Sequence, residues 1–213
     1  MTPVKTAYAN AAISSSPNML QEIHRKEKNI AIYRRDITSL SDDIRLLNDR
    51  DIEFRASGDS EDILELLNDF FKVQLSTSSA LLEDISEQLS LFTSISKADS
   101  FRLYLATVST DMCRKFHTDI NDLRLLCTYA GPGTLWVPDA IVDYRALQSK
   151  EDKNFVLDPQ QIQQAESGDI VLLKGALYPD SNPILHRSPS IKAAGKKRLL
   201  LRIDTNEFLN FLS

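Results

Sequence analysis

Phe116-His117-Thr118-Asp119 contains the motif His-x-Asp. On an extended segment, residues two apart face the same side, so His117 and Asp119 can reach one point. The chain has only three histidines, His24, His117 and His186. His24 stands in a charged run, His24-Arg25-Lys26-Glu27-Lys28, and is expected at the surface. That leaves His186, at the start of His186-Arg187-Ser188-Pro189, as the candidate third ligand. Two imidazoles and one carboxylate on one face of an ion, with the other positions open, favour non-haem Fe(II). The open positions are where O2 and a co-substrate would enter. The competing reading of His117 and Asp119 is a hydrogen-bonded pair in a turn, and that of His186 is a loop histidine before a Ser-Pro turn. Cys113 stands four residues before His117, and a thiolate beside an imidazole would suit zinc. Cys113 also reads as a small buried apolar residue. Cys127 alternates with Leu125 and Leu123 and is expected in the core.

Elements of the right kind surround these residues. Residues 1–19 are Ala/Ser-rich with two prolines and no apolar period, which predicts a disordered tail. Residues 20–95 read as mainly helical. Leu40, Ile44 and Leu47 share one helical face, as do Ile63, Leu66, Leu67 and Phe70 behind Ser60 as N-cap, and Leu81, Leu82, Ile85 and Leu89. Asn29 to Tyr33 is a short β-compatible run, and Gly58 breaks the pattern between the first two helices. From residue 96 the texture changes to strands. Phe101, Leu103 and Leu105 alternate with Arg102 and Tyr104. Leu123 to Tyr129, Ile170 to Lys174 and Arg198 to Ile203 follow, and Gly131-Pro132-Gly133 makes a turn after the second run. Short strands without intervening helical patterns predict a β-sandwich over 96–213, supported by the helices of 20–95. The expected class is α+β, an N-terminal helical layer packed on a β-sandwich. Asp139 and Asp143 are expected to cap turns, and Trp136 to pack in the core or at its rim.

Composition narrows the function. The chain has 213 residues, 25 Lys plus Arg against 30 Asp plus Glu, and a formal net charge of −5. A mildly acidic chain argues against general nucleic-acid binding, and Lys196-Lys197-Arg198 is too short a basic run to reverse that. No apolar run approaches the ~20 residues of a membrane span. No secretory h-region follows the N-terminus, and two cysteines are too few for a disulfide scaffold, so a reducing cytoplasmic setting is expected. Phosphate loops, dinucleotide fingerprints and nucleophile elbows are missing, which removes sequence support for ATP hydrolysis, dinucleotide chemistry and α/β-hydrolase chemistry.

His-x-Asp, a distal His and a basic residue roughly one strand later resemble the double-stranded β-helix (jelly-roll, cupin-like) oxygenases that use Fe(II) and 2-oxoglutarate. The resemblance implies His117, Asp119 and His186 as metal ligands. It implies Arg198 as partner of the distal 2-oxoglutarate carboxylate, a task that suits the planar guanidinium fork. Arg202, four residues on, and Arg124, on the strand after His-x-Asp, are substitutes. Leu200 departs from the pattern, because these enzymes often carry Ser or another polar residue two positions after the arginine. Without the histidines, Arg198 and Arg202 would read as solvated strand residues.

A closer resemblance covers nearly the whole chain after the tail. Cys113-Arg114-Lys115-Phe116-His117-x-Asp119, Arg124-Leu125-Leu126-Cys127-Thr128-Tyr129-x-Gly131-Pro132-Gly133-Thr134-x-Trp136-Val137, Leu173-Lys174-Gly175, His186-Arg187-Ser188-Pro189 and Arg198-Leu199-Leu200-Leu201 resemble the DUF1826 family, a bacterial domain of unknown function. Genes of that family often lie near zinc-chaperone GTPases, which implies a metal-homeostasis setting and such a GTPase as partner. Two functions therefore stand side by side: a 2-oxoglutarate-dependent dioxygenase acting on a small molecule or protein, and a non-enzymatic zinc-binding protein on the same fold.

Overall fold

The strands of this protein present one row of side chains to a layer of helices and the other row to a second, smaller sheet. The computed structural model describes residues 8–75, 79–149, 154–180 and 182–205. In chain order the elements are β1 (Ala11–Ser14), β2 (Ile30–Tyr33), α1 (Ser41–Asp49), β3 (Glu53–Gly58), α2 (Ser60–Leu75) and α3 (Ala80–Ser96). Then come β4 (Phe101–Val108), β5 (Leu123–Ala130), β6 (Leu135–Trp136), α4 (Tyr144–Gln148), β7 (Gln163–Gln164), β8 (Ile170–Lys174), β9 (His186–Arg187) and β10 (Arg198–Thr205).

The class is α+β. A seven-stranded mixed sheet runs β1-β2-β8-β5-β10-β4-β3, and a three-stranded sheet runs β7-β6-β9. β1 and β2 are parallel, and every other neighbouring pair is antiparallel. Leu103, Leu105, Leu125, Leu172, Leu201 and Ile203 bury against the helices, beside Leu67, Phe71, Ile85, Leu89 and Phe92. Each such side chain contributes about 1.5–3 kcal/mol relative to exposure. On the opposite face Leu126, Val171, Leu173 and Leu200 pack with Trp136 and Ile184, so the small sheet covers part of that face.

The helices form where apolar residues recur every three to four positions. α2 buries Ile63, Leu67, Phe71 and Leu75, a strict i, i+4 stripe. Leu66, expected on that stripe, is 51% exposed. Asp59 rather than Ser60 caps α2, because its carboxylate accepts the Asp62 N–H. α3 is capped by the Ser79 hydroxyl at the Leu82 N–H and ends at Lys97 in the left-handed conformation. No helix among the described residues is long and apolar enough to cross a membrane.

Two expectations change at the N-terminal side. The segment expected to be a disordered tail, 1–19, carries β1, which pairs with β2; its first seven residues lie outside the described residues. Gly58 ends a strand, β3, where the sequence pattern shows only a break between helices. Both strands join the main sheet, so it crosses the boundary drawn at residue 95. Neither strand needs strong intrinsic propensity, because each adds to an edge that already exists.

One buried polar network ties helices to sheet. The Arg35 guanidinium pairs with the Asp84 carboxylate through both Nη atoms and donates Nε–H to Gly168 O at 2.9 Å. Asp84 also accepts from Tyr129 Oη at 2.6 Å and Gln88 Nε2 at 2.7 Å. Burial raises the Asp84 carboxyl pKa, but these donors outweigh it and hold the group below its ordinary value. A carboxyl held low stabilises the fold above its unfolded value and loses that contribution as pH falls. Replacing Asp84 with Asn strands the Arg35 charge and is expected to cost about 3–5 kcal/mol in urea unfolding. The variant's stability should also fall less steeply below about pH 4.

Candidate metal centre

The small sheet and the loops around it bring His117, Asp119 and His186 together. His117 and His186 form an isolated antiparallel bridge, each N–H donating to the other's carbonyl at 3.0 Å. β9 pairs with β6, which sets Trp136 opposite His186. Asp119 is fixed by the turn after β8. Ala176 N–H donates to Asp119 O at 2.8 Å, Gly175 N–H to Asp122 O at 2.8 Å and Leu177 N–H to Asn121 O at 3.0 Å. Gly175 is required there, since a Cβ would overlap the Asn121 carbonyl oxygen.

One ligand atom from each of the three residues falls within 4.8 Å of the other two. His117 Nε2 lies 3.6 Å from Asp119 Oδ1, and His186 Nε2 lies 3.3 Å from Asp119 Oδ2. The imidazole centroids are 4.6 Å apart. His186 and Asp119 are nearly closed off, with side chains 5% and 10% exposed, while His117 is 35% exposed. Each outer nitrogen meets a carbonyl: His117 Nδ1 is 3.2 Å from Lys115 O, and His186 Nδ1 is 3.3 Å from Ile184 O. A carbonyl only accepts, so Nδ1 carries the hydrogen and Nε2 turns a lone pair inward. Two lone pairs and a carboxylate then converge on one point. With both Nε2 atoms unprotonated, that donor set fits a divalent first-row metal.

Arg124 supports the carboxylate. Its Nη1 is 2.5 Å from Asp119 Oδ2, and its Nε donates to Asp204 Oδ1 at 2.5 Å. Burial pushes the Asp119 carboxyl pKa up, but the two imidazoles and Arg124 outweigh it and hold it well below the usual carboxylate range. The hydrogen bond with Asp119 raises His117 above its ordinary pKa.

The three candidate arginines occupy different settings. Arg124, offered by the sequence as a substitute carboxylate clamp, is instead taken up by Asp119 and Asp204. Arg202 lies beside Asp204, with Nε 3.1 Å from Oδ2. Arg198 is 1% exposed and donates Nη2–H to Thr128 Oγ1 at 2.9 Å. Its Nε makes no hydrogen bond and no acidic side chain pairs with it among the described residues. Burial lowers its pKa to about 10. A buried cation without a counter-charge costs several kcal/mol, and such a cost persists where an anion is to be received.

Thr128 lies within one of the family-like segments, but the sequence gives it no role. It stands directly opposite Leu200 across the β5–β10 ladder. Its hydroxyl therefore reaches the Arg198 guanidinium from the neighbouring strand. Asp204, the buried carboxylate that shares Arg124 with Asp119, is a further residue that sequence reasoning misses. Its signal is present, an acidic residue on the same strand face as Arg198, Leu200 and Arg202.

Other expectations fall into place. Cys113 is exposed and outside the cluster, so it is neither core nor one of the converging ligands; its carbonyl accepts the Ser188 N–H at 3.2 Å. Cys127 is buried in the core, and burial pushes its thiol up to about 12. Trp136 is 2% exposed and meets the Tyr8 ring edge-on at 5.4 Å. Asp143 caps α4, and Asp139 accepts from the Asn10 and Asn29 amides. His24 is exposed and shares a 2.8 Å hydrogen bond with Tyr178 Oη.

Among solved structures, a Pseudomonas putida prolyl-4-hydroxylase is 9% identical over 89% of this chain and 97% of that one, with a TM-score of 0.48. A full-length Neurospora crassa protein in complex with alpha-KG and 5-formyluracil is 11% identical over 92% of this chain and 83% of that one, with a TM-score of 0.46. No curated protein matches the sequence. The model of a family described as a protein of unknown function, DUF1826, matches residues 14–204. This chain belongs to the DUF1826 family.

Proposed function

We propose that this protein is a mononuclear non-haem Fe(II) oxygenase that uses 2-oxoglutarate as co-substrate. The observation that carries the reading is one juxtaposition. A two-histidine, one-carboxylate cluster is tied through Arg124 to the same sheet face that carries Arg198, a buried cation with no acidic partner among the described residues. From β4 onward the strands distribute between two facing sheets. β4, β5, β8 and β10 lie in the large sheet, β6, β7 and β9 lie in the small one, and His117 bridges to His186 of β9. That division of strands between two sheets supports a double-stranded β-helix reading.

In this reading His117, Asp119 and His186 hold the metal on one face. Arg124 fixes the Asp119 carboxylate against rotation. The Nδ1–H groups held by Lys115 O and Ile184 O fix the two imidazole planes. Arg198 would receive the distal carboxylate of 2-oxoglutarate through its guanidinium fork, beside Thr128, whose oxygen accepts from Arg198. Leu126, Leu200 and Trp136 line the covered part of the face and exclude water. Bound iron supplies the oxidative chemistry with O2, and the chain supplies position and charge.

The expected result is uncoupled succinate formation from 2-oxoglutarate by purified protein with Fe(II) and ascorbate. It should disappear in His117→Ala. Absence of both succinate formation and 2-oxoglutarate binding would reject the proposal. The alternative, a zinc-binding protein without catalysis, retains the three-residue cluster but loses its cysteine ligand, since Cys113 lies outside it.

A further inference from the structure

The face of the main sheet opposite the helices continues onto β10, β4 and β3, and there it becomes strongly basic. Cross-strand register places Ser57, Arg102, Asp204 and Arg124 in one row. The next row is Arg55, Tyr104, Arg202 and Leu126. Four guanidiniums thus share two adjacent rows. The Arg55 and Arg202 guanidiniums lie over the Tyr104 ring, with Cζ 4.6 Å and 5.3 Å from its centroid.

Among the described residues, the counter-charges do not balance this group. Asp204 is the buried carboxylate of the two rows, and its oxygens already serve Asn121 at 3.0 Å, Arg124 at 2.5 Å and Arg202 at 3.1 Å. Glu53 takes Arg55 at 2.7 Å on the exposed side. The Nε atoms of Arg102 and Arg202 are buried and make no hydrogen bond among the described residues; for Arg202 the approach to Asp204 is one of charge alone. Burial lowers the Arg202 pKa, and Arg124 and Arg102 add to that by repulsion. Trp136 of the small sheet packs over the β5, β8 and β10 part of this face, with Leu126, Val171, Leu173 and Leu200. Arg55 and Ser57 on β3 stay exposed. Oriented, under-paired guanidiniums on a partly open surface are suited to phosphate or carboxylate oxygens.

We propose that Arg55, Arg102 and Arg202 form an anion platform that binds a phosphate or carboxylate group of the substrate and points the rest of it toward Asp119. The proposal rests on the metal-site reading for its catalytic meaning, and on the arginine rows alone for the binding. Arg124, tied to both Asp119 and Asp204, is the physical link between platform and cluster.

The test uses the full chain after metal removal, titrated at low salt with inorganic pyrophosphate and separately with citrate, by calorimetry and thermal shift. Saturable binding of either anion is expected, and the anion that binds identifies the charged group. Affinity should drop about tenfold or more in Arg102→Gln and in Arg202→Gln. Arg55→Gln keeps a check on folding, because its side chain is 66% exposed; a severalfold drop is expected there too. Binding of neither anion would overturn the proposal. So would unchanged affinity in these three variants, or a loss confined to Arg198→Gln. Metal is absent throughout, so failure of the Fe(II) reading leaves this result interpretable.

Discussion

His186→Ala is expected to weaken Fe(II) or Zn(II) binding by more than about 100-fold, beyond the 10–100-fold that loss of an outer-sphere partner costs. His186 is 4% exposed, its Nδ1 is held by Ile184 O, and its Nε2 faces Asp119. Alanine removes a preset donor that no neighbour can replace. The two remaining residues, His117 and Asp119, leave a site that binds metal as weakly as many surface pairs do. Thermal unfolding reads the same event. In the wild type, metal at 100 times its Kd adds about 2.7 kcal/mol, and in the variant that increment should vanish. Retention of the metal-induced shift in His186→Ala would place the ion elsewhere on the chain.

Arg198→Met should produce two effects of opposite sign. Binding of 2-oxoglutarate to the metal-loaded protein should fall about 100-fold, near 2.7 kcal/mol, because a buried charge-assisted fork is lost. The free protein, in contrast, should be as stable as the wild type or more so. Arg198 is buried with one hydrogen bond, to Thr128, and an unpaired Nε, so its removal relieves an uncompensated charge. Chemical denaturation without ligand and calorimetry with 2-oxoglutarate separate the two. A loss of several kcal/mol in the free variant would make Arg198 a structural residue and remove it from the co-substrate site.

The strands that carry the site are legible in the sequence because their apolar alternation is strong. Leu103 and Leu105, Leu125 and Cys127, and Leu201 and Ile203 all point to the helices, as their period requires. His-x-Asp is legible as a pair of ligand types two residues apart, and the His117–His186 bridge brings the third residue beside them. Register is not legible. Thr128 opposite Leu200, and Asp204 between Arg102 and Arg124, exist as pairs only once strands distant in sequence align. The different role of Arg124 has the same origin, because its two carboxylate partners come from a loop and from β10. Cys113 misleads through sequence spacing. Four residues bring side chains together on a helix but not along extended chain, and residues 111–116 form no helix. β1 and β3 escape notice because Ala11–Ser14 and Glu53–Gly58 have little intrinsic strand character and are held by their neighbours in the sheet.

The most direct measurement is an anaerobic titration of metal-free protein with Fe(II), followed by 2-oxoglutarate, with the visible spectrum recorded. The cluster of His117, Asp119 and His186 together with Arg198 predicts a metal-to-ligand charge-transfer band on adding 2-oxoglutarate, absent in His117→Ala and weakened in Arg198→Met. No band and no binding heat from 2-oxoglutarate, with zinc bound tightly in parallel, would contradict the oxygenase assignment.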